Sequence, residues 1–190
     1  ETGLLSYGAS DSLHTYLGAD LGSWALLADE RGMFERVLDA MLTWRSASGG
    51  WAELFSRSQR DFGHNLPPHA SSAAAFAALV RNAVVFDDGP DMLLLTLGAR
   101  ASWWRGAKVE GAPTRWGVVD LAFARKGDVA EWTWTPVRVQ TLLRLPPGTV
   151  VADAPPPLAG EPGSDHVLAP AGTGHAIVRL RPAAAAPSRQ

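Results

Sequence analysis

The connection formed by residues 49–74, GGWAELFSRSQRDFGHNLPPHASSAA, concentrates aromatic, acidic and imidazole side chains between two predicted helices. Polar groups on such a connection are either ordinary solvated surface or the rim of a binding site, because binding and catalytic residues lie disproportionately on loops. We take this connection as the candidate site. Its side chains with useful chemistry are Trp51, Glu53, Asp61, His64, Asn65 and His69.

Glu53 lies two residues from Trp51, just past a Gly-Gly turn. An isolated loop glutamate is most often solvated, but partial burial against an indole ring raises the pKa of a carboxyl group and suits it to general acid or base catalysis. An exposed Trp51 ring would also offer a flat platform to the apolar face of a sugar. Glycoside hydrolysis needs a second carboxyl group roughly 5 to 10 Å away. Asp61 and Asp11 are the available partners.

The two histidines of the connection, His64 and His69, are five residues apart. This spacing lacks the i, i+4 helical geometry of zinc-binding HExxH sequences, so we predict no metal site. We assign these imidazoles, and the amide of Asn65, to binding of ligand hydroxyl groups or to capping of the next helix. His14 and Tyr16 cannot both face a helical core, since residues two apart point to different sides. One of them is expected to point toward the same cleft.

Composition and charge exclude several classes of function. A net charge of −2 with dispersed cations gives no basic footprint for nucleic acid. No apolar run reaches the roughly 20 residues that span a bilayer, so no membrane partner is predicted. The sequence has no phosphate-binding glycine loop and no dinucleotide fingerprint, and we predict no cofactor. The lack of cysteine excludes a thiolate nucleophile and leaves the localisation open.

The elements that position the candidate residues are predicted to be helices in the first half of the chain. Apolar residues recur at three- and four-residue steps over residues 11–28 and 31–45. Ser10 or Asp11 would cap the first of these helices. A third helix is predicted from Pro68 to about Phe86, with proline in its first turn. The candidate connection therefore joins the second and third helices.

The pattern changes after residue 91 to short apolar segments bounded by Gly and Pro, which predict strands. In VDLAFAR, for example, Val119, Leu121 and Phe123 alternate with smaller or polar residues and share one face. No helix-length connection separates these strands, so we predict an antiparallel β-sandwich. The expected class is α+β, with helices in residues 1–88, the β-sandwich in 89–182 and a flexible tail in 183–190.

Three stretches of the sequence resemble a known family. They are DSLHTYLGADLGSWALLADERGMFERVLDAMLTWRSASGGWAEL, HNLPPHASSAAAFAALVRNAVVFDD and LLLTLGARASWWRGAKVEGAPTRWGVVDLAF, which together span roughly residues 10 to 125. In this order they resemble the C-terminal end of bacterial glycoside-hydrolase-like proteins of the six-hairpin α/α toroid superfamily, which includes alpha-L-rhamnosidases and glucoamylases. In that superfamily the last hairpins of the toroid are followed directly by a C-terminal β-sandwich.

This resemblance implies roles for individual residues. Glu53 stands where a catalytic carboxylate acts on the attacking water, next to the tryptophan that Trp51 matches. His69, in the sequence PPH, stands where a histidine faces the sugar. The implied partners are a carbohydrate and the remainder of the parent toroid, in which the second acid lies upstream. The chain also begins without methionine. We therefore expect a part of a longer protein that is incomplete as an enzyme on its own.

Two other functions remain open at this point. A non-catalytic carbohydrate-binding module would present an exposed ligand surface through Trp103 and Trp104. A structural or interaction domain would bury all its tryptophans and leave the connection merely solvated. Fold alone does not decide among these, because one architecture supports many functions.

Overall fold

The computed structural model describes residues 3–6 and 11–184. The chain divides into two compact units, residues 1–83 and residues 84–190, a few residues before the predicted boundary. The predicted α+β class is confirmed, since the described residues form three α-helices and several sheets of mainly antiparallel strands. None of the described helices is long and apolar enough to cross a membrane.

The first unit combines a small antiparallel sheet with the α-helices. The strands, in sheet order, are β1 (Leu5–Ser6), β2 (Ser12–His14), β3 (Leu54–Ser56) and β4 (Asp61–Phe62). The helices are α1 (Thr15–Leu27), α2 (Arg31–Thr43) and α3 (Ala70–Val84), the last residue of which belongs to the second unit. The sheet was not predicted, because strands of two or three residues are too short to show an alternating pattern.

The ends of the helices differ from the prediction. Helix α1 begins at Thr15 rather than near Asp11, because residues 12–14 pair with β3 instead. Its N-cap is His14, which makes no side-chain capping hydrogen bond, whereas Ser10 lies outside the described residues. Helix α3 ends at Val84, and the next two residues form a strand.

The helices approach closely because α1 has a glycine at the point of contact. A Cβ atom at Gly22 would lie 2.7 Å from Leu79 Cδ1 on α3 and 2.9 Å from Val37 Cγ1 on α2. Both neighbours are fully buried. The missing side chain of Gly22 therefore lets the three helices share one core.

The second unit is built from two sheets. Its strands are β5 (Val85–Phe86), β6 (Leu93–Leu95), β7 (Ala107–Thr114), β8 (Gly117–Lys126), β9 (Val129–Trp134), β10 (Thr141–Arg144), β11 (Thr149–Asp153), β12 (His166–Ala169) and β13 (His175–Pro182), with a 3₁₀ helix at Ala101–Arg105. One sheet has the order β12-β10-β6-β5 and the other the order β11-β13-β9-β8-β7. Buried side chains from both sheets form one continuous core.

The prediction of purely antiparallel pairing is wrong at one place in this unit. β6 and β10 are parallel neighbours, with Leu93 opposite Thr141 and Leu95 opposite Leu143. Parallel neighbours need a long crossover. Here the crossover is the antiparallel meander of β7, β8 and β9 rather than a helix, which is why the spacing of the strands gave no sign of it. Most of the predicted tail, residues 185–190, lies outside the described residues.

Candidate functional site

The main chain of Glu53 is held from both sides at the end of the small sheet of the first unit. Its carbonyl oxygen accepts a hydrogen bond from the Thr15 N–H at 3.1 Å, and its own N–H donates to the Asn65 carbonyl at 3.0 Å. On the next residue pair, His14 is directly opposite Leu54. The sheet therefore brings residues from the start of α1 and from the end of the connection next to Glu53.

The Glu53 carboxylate is hydrogen bonded through one of its two oxygens. Asn65 Nδ2 donates to Oε2 at 2.5 Å, and His64 Nδ1 lies 3.2 Å from the same oxygen. The other oxygen, Oε1, lies 4.0 Å from His14 Nε2, which is too long for a hydrogen bond. The Glu53 side chain is 21% exposed and that of His64 is 74% exposed. The carboxylate is thus accessible and held by neutral or cationic donors.

The pKa of Glu53 is lowered from its ordinary value, first by the hydrogen bond from His64 and then by that from Asn65. Partial burial acts in the opposite direction and is the weaker effect. The expectation that burial against Trp51 raises this pKa is therefore wrong. Near neutral pH the group is an ionised carboxylate, which accepts hydrogen bonds and protons and cannot donate one.

His14 forms the buried wall beside Glu53. Removal from water lowers the pKa of the His14 imidazole, and the nearby carboxylate of Glu53 opposes this only in part. The ring meets that of Tyr16 edge-on, with 4.5 Å between the ring centroids. Residues 14 and 16 both face this region, because His14 still belongs to β2 and Tyr16 to the first turn of α1. Residues two apart on a helix point to different sides, but only Tyr16 of this pair lies in the helix.

His69 completes the group of rings, with its centroid 6.0 Å from that of Tyr16. Its backbone N–H donates to the Trp51 carbonyl at 2.8 Å, which fixes the start of α3. Its Nδ1 lies 2.8 Å from the hydroxyl oxygen of Ser72, and that oxygen lies 2.5 Å from the hydroxyl oxygen of Thr15. Both hydroxyl groups belong to buried residues.

Trp51 is part of the core rather than an exposed platform. Its side chain belongs to a residue that is 7% exposed, and its indole N–H donates to the Met41 carbonyl at 2.7 Å. Its ring lies against Phe76, with 4.5 Å between centroids. The predicted exposed indole is wrong, because Trp51 folds back onto α2 and α3. Trp51 thus anchors residues 51–52, which directly precede Glu53, to the helical core.

The two aspartates considered as partner acids have other contacts. Asp11 accepts hydrogen bonds from the Ser58 N–H at 2.7 Å and the Ser56 hydroxyl at 2.9 Å. Hydrogen bonding by the side chain and the N–H of Ser58, and then by Ser56, holds the pKa of Asp11 far below its usual range. Asp61 lies opposite Ser56, at the other end of β3 from Glu53, and accepts a bond from its neighbour's N–H. About 10 Å of strand separates that end from Glu53.

Two residues of the site were missed by the sequence analysis, namely Thr15 and Ser72. Small hydroxyl residues in the first turn of a helix are typical caps and give no further signal. The one available hint was that Ser72 follows His69 by three residues, which places their side chains on neighbouring positions of a helix start. Within the described residues, no group of three or more His, Asp or Glu side chains could hold a metal ion.

The tryptophans proposed for a ligand surface of the second unit are not exposed as expected. Trp104 is 2% exposed and packs edge-on against Phe123 and Trp132, and Trp103 packs on the same core. The predicted module surface is therefore wrong for Trp104. Trp103 is partly exposed, so a flat sugar platform that also used Trp104 would require the core of the second unit to open.

The accessible, ionised carboxylate of Glu53 thus lies beside His64, Asn65 and His14, and the rings of Tyr16 and His69 adjoin His14 in turn. No protein-family model matches this chain, and no curated protein sequence matches it either. Its chemistry must be inferred from the geometry of the site.

Proposed function

We propose that this chain is the C-terminal part of a glycosidase-like protein and that the site around Glu53 binds a carbohydrate. The observation that carries the proposal is the state of the Glu53 carboxylate. It is ionised and partly exposed, and Asn65 and His64 both bind Oε2. Oε1 is then the oxygen offered to a water molecule or to a sugar hydroxyl.

The chemistry of this carboxylate favours a general base over a general acid. A base must be ionised at the working pH, and the hydrogen bonds to Glu53 stabilise its ionised form. In glycoside hydrolysis by inversion, such a carboxylate takes a proton from the attacking water while a second carboxylic acid protonates the leaving group. We assign the first role to Glu53. The second acid would come from the preceding part of the parent protein.

The neighbours of Glu53 support a ligand rich in hydroxyl groups. Tyr16, His64 and His69 each carry a group that donates or accepts one hydrogen bond, and Asn65 adds an amide. Binding sites for small polar ligands combine a few such groups on a rigid frame. Here the frame is the end of the small sheet together with the first turns of α1 and α3. Trp51 supports this frame from below and has no stacking role in our proposal.

The fold is compatible with the toroid that the resemblance implies. We propose that α1 and α2 form one of its hairpins, that α3 begins the next, and that the two-sheet unit is the trailing β-sandwich. The Glu53 connection would then face the end of the toroid where substrate enters. Carbohydrate is accordingly the proposed partner, together with the remaining hairpins of the parent.

Replacement of Glu53 by glutamine in the full-length parent tests the proposal. Glu53→Gln keeps the size and the hydrogen-bond acceptor of the side chain but removes its basicity, so turnover of a panel of aryl glycosides is expected to fall on the order of 10²- to 10⁴-fold. Asp61→Asn is the matched control, because it removes a carboxylate from the same connection, and turnover should change little. Equal turnover of Glu53→Gln and the wild type would reject Glu53 as the base.

A further inference from the structure

His69 ends a short chain of buried hydroxyl groups that leads away from the candidate site. The Thr15 hydroxyl oxygen lies 2.7 Å from the Ala52 carbonyl oxygen and 2.5 Å from the Ser72 hydroxyl oxygen. The Ser72 hydroxyl oxygen in turn lies 2.8 Å from His69 Nδ1. Two further contacts are longer, 3.1 Å from the Ser72 hydroxyl to the Ala52 carbonyl and 3.2 Å from the Thr15 hydroxyl to the Glu53 carbonyl. Each of the three short contacts needs one proton between its two atoms, and Thr15 and Ser72 supply one hydroxyl proton each.

Counting protons decides the direction of these hydrogen bonds. The carbonyl of Ala52 can only accept, so the 2.7 Å contact requires the single hydroxyl proton of Thr15. The 2.5 Å contact between the hydroxyl groups then requires the single proton of Ser72. Ser72 has no proton left for His69. The 2.8 Å contact is satisfied only if His69 Nδ1 carries the proton and donates it to Ser72.

The opposite direction leaves a short contact without a proton. If Ser72 donated to His69 Nδ1, Thr15 would have to donate to Ser72. The Thr15 and Ala52 oxygens would then face each other at 2.7 Å with no hydrogen between them. Both residues are buried, so no solvent relieves this repulsion, and an unpaired buried carbonyl costs about 1–3 kcal/mol.

We propose that Thr15 and Ser72 hold His69 in the Nδ1–H form, so that Nε2 is the atom that His69 offers to a ligand. In the neutral imidazole this Nε2 carries a lone pair and accepts a hydrogen bond. Ser72 and Thr15 are positioning residues, since they act through His69. That the ligand is a saccharide rests on the proposed function, whereas the state of His69 does not.

The assignment also specifies what the ligand must supply. The ionised carboxylate of Glu53 accepts hydrogen bonds, and the Nδ1–H tautomer of His69 accepts one at Nε2. At these two positions, ligand hydroxyl groups that donate are favoured over a carboxylate or a phosphate, which has no proton to give. A neutral polyol fits this requirement, and an anionic sugar would be repelled by Glu53.

Nitrogen NMR of the histidine-labelled chain reads the tautomer directly, without any ligand. At a pH above the imidazole titration range, His69 should show a protonated Nδ1 and an unprotonated Nε2. Ser72→Ala removes the acceptor and should shift His69 toward the Nε2–H form, while Ser72→Thr, which keeps a hydroxyl, should preserve the wild-type pattern. Ser71→Ala is the control, as an exposed serine on the same helix turn. A wild-type His69 in the Nε2–H form would overturn the proposal, whether or not Ser72→Ala folds.

A binding experiment separates this proposal from the proposed function. In a panel of neutral saccharides, Ser72→Ala should weaken binding by about tenfold, the equivalent of one hydrogen bond, and Ser71→Ala should not. If no saccharide binds the wild type while His69 shows the expected tautomer, the carbohydrate proposal fails and the proposed role of Thr15 and Ser72 stands. If a saccharide binds the wild type but Ser72→Ala changes neither the His69 tautomer nor the affinity, the proposed role of Thr15 and Ser72 is wrong and the carbohydrate proposal stands.

Discussion

The pKa of Glu53 is set by contacts that its local sequence does not show. The neighbouring Trp51 predicts an effect of burial, which would raise this pKa. The actual cause is hydrogen bonding by His64 and Asn65, which lie eleven and twelve residues further along the chain. Main-chain hydrogen bonds between residues 53–54 and 63–65 bring those donors to the carboxylate. The ionisation state therefore depends on a tertiary contact.

Asn65 offers a clean test of this cause. It has a φ of 50°, in the left-handed region where glycine is at ease, so Asn65→Gly removes the amide without straining the main chain. The pKa of Glu53 is expected to rise toward its ordinary value of 4.5, because one of the two hydrogen bonds to its ionised form is lost. A carbon NMR titration of the Glu53 carboxyl group measures this shift.

The control for this change is Arg60→Gly. Arg60 has a φ of 51° and lies in the same connection. It should leave the pKa of Glu53 as it is in the wild type. If Asn65→Gly also left that pKa where it was, the short Asn65 contact would have no part in setting it.

The helices and strands that carry the site differ in how far the sequence predicts them. The apolar periods of α1, α2 and α3 cover several turns each, and the three helices lie where they were predicted, apart from their ends. β2, β3 and β4 have two or three residues, and β2 pairs with a strand far along the chain, with Leu13 opposite Phe55. The connection could therefore be recognised as rich in functional groups, but neither its contacts nor the burial of Trp51 could be read from spacing.

Alanine is expected to have opposite effects on stability at two glycine positions of the helices. Gly22→Ala on α1 places a methyl group within 3 Å of both Leu79 and Val37, so it should destabilise the first unit by about 1–3 kcal/mol despite the better helix propensity of alanine. In Gly32→Ala on α2, the new methyl group would have Nη1 of Arg36 as its nearest neighbour, at 3.6 Å. It should stabilise the protein by up to about 1 kcal/mol. Urea unfolding of both variants measures the difference.

These two variants also test where the helices meet. Both replace a helical glycine by alanine, so they share the gain in propensity and differ in the space available. A Gly22→Ala variant as stable as Gly32→Ala would show that α1 does not pack on α2 and α3 through this residue.

For the molecule as a whole, burial of His14 predicts a loss of stability on mild acidification. The folded pKa of His14 is below the ordinary 6.5, so the unfolded chain takes up a proton more readily than the folded chain. Stability contributed by neutral His14 is complete above about pH 7 and is lost as the pH falls through 6.5 toward the folded pKa. The depressed pKa of Glu53 adds a second loss at lower pH, as the carboxylate becomes protonated.

Thermal unfolding between about pH 7 and pH 5 tests this expectation. The wild type should show a falling midpoint, and His14→Gln should flatten that slope by removing the titrating group. His175→Gln is the comparison, since His175 lies on an exposed part of β13 in the second unit. Identical slopes in His14→Gln and the wild type would mean that another group is responsible.

The parallel contact between β6 and β10 has a consequence for the nascent chain. When Lys126 has emerged from the ribosome, both strands of the β7–β8 hairpin have emerged, and their paired residues are close in sequence. By then Leu93–Leu95 can pair with β5 along one edge, but the strand that covers its other edge has not yet emerged. The strand of three leucines thus has an unpaired edge during translation. A chain truncated before Thr141 would keep that edge unpaired and would be prone to aggregate.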